Sequence, residues 1–99
     1  MAYKLLEVVK SDKPGKKLKA VFKNDDTGRN KTVHFGDSAM DDYTLTKDKE
    51  QRSRYRSRHA KDLDTGDPTR AGYLSYFILW GDSTSVAKNV AAYRKKFHL

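Results

Sequence analysis

The chain has 99 residues, 36% hydrophobic and 34% charged, with a formal net charge of +8 and no cysteine. This composition excludes a disulfide framework and a thiolate metal site, and no apolar run approaches the roughly 20 residues of a membrane-spanning helix. A domain of this length buries only about 60–65% of its unfolded surface, so the core must be small.

Eleven aromatics set the chain apart from disordered sequences, and a single α+β domain over residues 1–99 is expected. The N-terminus lacks the apolar centre of a secretory leader, which predicts a soluble, unexported protein. Charge is uneven. Residues 1–46 carry nine basic against seven acidic side chains, and residues 47–99 carry twelve against six. Affinity for a polyanion is therefore expected mainly in the second half.

Taken in order, Tyr3–Lys10 is apolar and β-branched, and Ser11-Asp12-Lys13-Pro14-Gly15 ends it with a turn signal. Leu18, Ala20 and Phe22 then alternate with Lys17, Lys19, Val21 and Lys23, the period of a half-buried strand with a basic outer face. After the Asn24–Gly28 turn cluster, Lys31, Val33 and Phe35 alternate with Thr32 and His34. A three-stranded antiparallel meander is predicted, and it needs cover on one face.

Gly36–Thr46 is acidic with few periodic apolar positions and reads as an ordered loop. Asp37, Asp41, Asp42 and His34 are hard-ligand types, but they lack cage spacing, so no metal is expected. Thr46 or Asp48 can cap a helix over about 47–62. At 100° per residue, Lys47, Arg54, Arg58 and Lys61 share one side, Lys49, Arg52 and Arg56 another, and Tyr55 with His59 the arc beside Arg52. Tyr55 and His59 then face the core or a partner. Asp62, Asp64, Gly66 and Asp67 form a linker.

Thr69–Phe97 organises the fold. Asp67 is placed to cap, Pro68 fits a first helical position, and Ala71–Trp80 supplies the only long apolar run. Gly81 suits a left-handed stop and Ser83 a second cap. Val86, Val90, Tyr93 and Phe97 form one stripe on the next helix, so a helical hairpin is expected to cover the sheet.

From His34 onward the sequence resembles a family of small basic proteins encoded by large nucleocytoplasmic DNA viruses, including giant viruses of amoebae and viruses of algae. The residues that carry the likeness are His34-Phe35-Gly36, Asp42-Tyr43-Thr44, Lys47-Asp48, Arg52, Tyr55, Arg58-His59, Asp67-Pro68-Thr69, Ala71-Gly72, Leu79-Trp80 and Tyr93-Arg94-Lys95-Lys96-Phe97. Leu63 stands where that family commonly has an aromatic, and Tyr76 where it commonly has a basic residue. The resemblance implies a viral origin and a place in the virion interior, with the host cytoplasm or nucleus occupied during infection. It implies no catalytic mechanism.

Three function classes follow. The first is a sequence-independent nucleic-acid binder, most simply of DNA, that condenses or packages a genome. Its contacts would be Arg52, Arg54, Arg56, Arg58 and Lys61, with Lys17, Lys19 and Lys23 on the sheet and Arg94, Lys95 and Lys96 at the end. Tyr55 could stack on an unpaired base or anchor its own helix. The second is a virion adaptor or homodimer that uses the same helix, with Tyr73, Tyr76 and Trp80 as candidate anchors. The third, an enzyme, would gather His34, Asp37, Tyr43, Arg52 and His59 as a small nuclease site. No nucleophile motif or glycine-rich phosphate cradle supports it, so neither catalysis nor a cofactor is expected.

Overall fold

The computed structural model describes residues 3–99. Strands β1 (Tyr3–Lys10), β2 (Lys16–Asn24) and β3 (Asn30–Asp37) form an antiparallel sheet in the order β1-β2-β3. The predicted alternation sets the register. Leu18 pairs with Phe35, Ala20 with Val33 and Phe22 with Leu5, which puts the strands' large apolar groups on one face. A bulge lies between Leu5 and Glu7.

Four helices follow. They are α1 (Tyr43–Thr46), α2 (Lys49–His59), α3 (Ala71–Leu74) and α4 (Val86–Phe97). A 3-10 segment, Ala60–Thr65, extends α2, and a π-helical stretch, Ser75–Leu79, extends α3. Together α3, its π extension and α4 make the expected hairpin. It packs on the sheet around Phe22, Phe35, Leu74, Ile78 and Tyr93.

Several local expectations are corrected. The acidic loop contains α1, because the Asp42 carboxylate caps it by accepting from the Thr44 N–H and Lys47 closes it in a left-handed conformation. Lys47 therefore stands outside α2 and does not share the Arg54 side. Of the two candidate caps for α2, Asp48 serves, accepting from the N–H groups of Glu50 and Gln51. The helix is shorter than predicted, and the aspartate-rich linker is largely the 3-10 segment, ended by Gly66 at φ 66°.

Asp67 does not cap α3. Its carboxylate accepts from the N–H and hydroxyl of Thr69, and those bonds, the hydroxyl's first, lower its pKa. The helix begins only at Ala71, so Pro68 lies in the preceding turn, where its carbonyl accepts from the buried Tyr93 hydroxyl at 2.5 Å. Ser85, rather than Ser83, caps α4 through the Lys88 N–H.

Gly81 is not left-handed. It is needed for space, since a Cβ there would stand 2.2 Å from the Phe77 carbonyl oxygen and 2.9 Å from Asn89 Cγ. Backbone cannot yield as a side-chain tip can. Gly81→Ala is expected to cost about 1–3 kcal/mol, the range of a forced overpacking, and thermal unfolding checks it. A melting temperature unchanged within about a degree would show that the loop has slack. Gly36 combines both demands, with φ at 80° and a Cβ position 2.6 Å from Leu79 Cδ1.

Candidate functional site

The alternating arginines of α2 divide by helical angle into two groups with different surroundings. Arg52 and Arg56 turn toward the hairpin. Arg52 Nη1 donates to the Gly81 carbonyl at 3.2 Å, and its guanidinium lies 4.9 Å from the centroid of the buried Tyr43 ring. Arg56 Nη1 donates to Asp82 Oδ1 at 3.4 Å and lies 4.8 Å over the Tyr76 ring. Asp82 also stands 3.6 Å from Arg52. The two side chains are only 23% and 26% exposed, and the Nε of each is enclosed without a hydrogen-bond partner.

Asp82 itself is 89% exposed, so each ion pair is worth roughly 0–1 kcal/mol. Stacking on tyrosine adds a similar amount. These arginines fasten α2 to the hairpin and are not free for a partner, which corrects their place among the predicted phosphate contacts.

Arg54 and Arg58, one turn apart on the opposite side, are exposed, as is Lys61 in the 3-10 segment. None of the three meets a carboxylate within ion-pair distance among the described residues. They form the outward cationic row.

The other predicted contacts also separate. Lys17 pairs at 2.5 Å with Asp42, which is 2% exposed, so it neutralises a buried carboxylate and is not a free phosphate contact. Lys19 reaches the exposed Asp12 at 3.5 Å, while Lys23 is exposed on the sheet. The backbone hydrogen bond at Asp12, and then the Lys19 charge, lower that carboxyl's pKa. Arg94 donates to the carbonyls of Leu5 at 3.1 Å and Leu6 at 3.0 Å, tying α4 to the edge of β1. Lys95 and Lys96 remain exposed, with Lys96 Nζ 5.5 Å from the Phe77 ring centroid.

Tyr55 is not an open stacking platform. One ring face lies on Trp80, with centroids 4.3 Å apart and planes 9° apart, and the other on His59, at 4.1 Å and 23°. Burial pushes its phenol pKa up, with the Asp62 charge adding to the effect. His59 ends this three-ring stack, and its Nδ1 lies 3.0 Å from Asp62 Oδ2. Tyr73 and Trp80 are buried and Tyr76 lies beneath Arg56, so the aromatics suited to a dimer contact are taken up within the fold.

Beside the stack, a cleft of about 510 Å³ opens between α2 and the Asp37–Asp42 turn. Asp37 and His59 both line it, together with Arg58 and Gln51. The other three residues of the imagined nuclease site are elsewhere. Tyr43 and Arg52 stack on each other, and His34 lies on the sheet face opposite Phe35, bonded through Nδ1 to Ser11 Oγ at 2.7 Å. Among the described residues no three His, Asp or Glu side chains are grouped to hold a metal, and no helix is long and apolar enough to cross a membrane.

Two structurally important residues carry roles that the sequence pattern alone does not announce. Asp82 reads in sequence as part of a loop break, although an acid beside Gly81 is the counter-charge for two arginines. Asn89 draws no expectation from the apolar stripe, although it lies three residues after Val86 and four before Tyr93, on the stripe itself. That placement is a signal that its amide must be satisfied internally.

No curated protein and no solved structure matches the chain. A family described as one of unknown function, DUF5754, matches residues 6–59, a span that takes in the sheet from Leu6 onward, α1 and all of α2 with both groups of arginines. That span is more than half of the chain, which therefore belongs to the DUF5754 family.

Proposed function

We propose that the protein binds nucleic acid without sequence preference, through phosphate contacts from Arg54, Arg58 and Lys61, and that it serves genome packaging in a virion. The observation that carries this reading is the outward row itself. Three cations stand exposed without internal counter-charges among the described residues, while the two neighbouring arginines are held by Asp82. Lys23, Lys95 and Lys96 add positive charge elsewhere on the surface, within a net charge of +8.

The mechanism is counterion release. Neutralising three phosphates gives a slope of about −2.7 in log affinity against log salt, or roughly a forty-fold loss between about 50 and 200 mM. Titrating random-sequence duplex DNA across that range tests the proposal. Flat affinity defeats it and shifts the balance toward a protein-docking role, which the exposed Leu6 and Val9 on β1 would favour.

A further inference from the structure

We infer that the cleft beside the Trp80–Tyr55–His59 stack receives an unpaired nucleobase, so that the protein prefers single-stranded to duplex nucleic acid. This rests on the phosphate-binding reading of Arg54, Arg58 and Lys61 and adds to it a recognition surface for the base. The cleft, about 510 Å³, falls within the roughly 300–1,000 Å³ typical of small-molecule pockets.

A base needs a flat ring to lie on, polar groups at its edge, and a cation where its phosphate leaves. The terminal ring supplies the first. His59 has one face on Tyr55, meets no second ring among the described residues, and is 41% exposed. Asp62 holds the imidazole at Nδ1, and Trp80 backs the stack from the core, so the platform is fixed before any ligand arrives. Edge groups come from Gln51 and from Asp37 and Asp41 on the far lip, where Lys16 also stands. The phosphate cation is Arg58, which lines the cleft and belongs to the outward row.

This arrangement also orients the strand. With Lys17 paired to Asp42, the far lip sets Asp37 and Asp41 against Lys16, a net negative charge that disfavours phosphate there, whereas α2 presents Arg58, so the backbone follows α2 and the base crosses toward Asp37 and Asp41. In a duplex the bases are paired and stacked and cannot enter. Double-stranded nucleic acid is therefore left with the phosphate contacts alone.

The test compares a labelled DNA single strand of about 12 nucleotides, an abasic single strand of equal length, and the duplex, all at one salt concentration by fluorescence anisotropy. The base-bearing strand is expected to bind about tenfold more tightly than the abasic one. His59→Ala should remove that advantage and leave duplex affinity unchanged. His59→Phe, which keeps a ring on Tyr55, should retain it and guards against a folding defect in the alanine variant. Equal affinity for base-bearing and abasic strands, or an equal loss on single strand and duplex in His59→Ala, overturns the inference while leaving the phosphate reading intact. Failure of all three ligands to bind defeats the phosphate reading itself.

Discussion

Replacing Asn89 by alanine is expected to lower the unfolding free energy by about 3–5 kcal/mol, a large share of the roughly 5–15 kcal/mol that stabilises a domain. Its side chain is buried at 4% exposure and makes three hydrogen bonds to backbone. Nδ2 donates to the Ile78 carbonyl at 2.8 Å and to the Ser83 carbonyl at 2.7 Å, and Oδ1 accepts from the Ser83 N–H at 3.0 Å. The Ile78 carbonyl belongs to the end of the π-helical stretch, where backbone groups lack helical partners, and the Ser83 groups belong to the link between the hairpin's helices. One amide thus satisfies both sides of the corner.

Alanine would strand three backbone groups, each at about 1–3 kcal/mol, with partial relief as the corner relaxes. Asn89→Asp should be no milder, because it keeps the acceptor but sets an anion against two carbonyl oxygens. Urea denaturation with an unchanged m-value measures the loss. A loss under about 1 kcal/mol would mean that water replaces the amide through the adjoining cleft of about 170 Å³, which Asn89 and Gly81 both line.

What the sequence disclosed follows the range of the interactions involved. Alternation at Leu18, Ala20 and Phe22 and at Val33 and Phe35 is a local record of which strand face is buried, and the sheet follows it directly. The stripe from Val86 to Phe97 likewise records the buried side of α4, although the capping serine is Ser85, two residues later than expected.

Asp67-Pro68 failed as a helix start because its turn-forming chemistry is spent on Thr69. Tyr93, far along the chain, holds the Pro68 carbonyl in that turn. At Gly81 a left-handed cap and a tight contact both call for a missing Cβ, and only the path of Phe77 and Asn89 decides between them.

The arginines show the same limit. Helical angles correctly grouped Arg54 with Arg58 and Arg52 with Arg56. Which group faces solvent depends on Asp82 and Gly81, contributed from beyond the next helix. The arginines named together as phosphate contacts therefore supply one outward row, and the three-ring stack that covers both faces of Tyr55 could not be foreseen from its helical position alone.

Changing Arg54, Arg58 and Lys61 together to glutamine is expected to weaken duplex DNA binding by about 100-fold at moderate salt and to reduce the salt slope by about 2.7, or about 0.9 for each phosphate no longer neutralised. All three side chains are exposed and without ion-pair partners among the described residues, so stability should change by no more than about 0.5 kcal/mol per position. Arg52 and Arg56 predict the reverse pattern. Glutamine at both leaves the outward row untouched but removes the bonds to Gly81 and Asp82 and the stacking on Tyr43 and Tyr76, so stability falls while DNA affinity changes less than about threefold.

Total charge cannot account for so large a difference between the three outer and the two inner cations, because each change to glutamine removes one positive charge wherever it is made. Asp82→Asn sharpens the contrast, since it frees two forks from their counter-charge and should strengthen DNA binding at a small cost in stability. Equal weakening per charge removed, for the three outer and the two inner substitutions, would mean that the polyanion responds to net charge alone, and the outward row would then have no special claim as the binding surface.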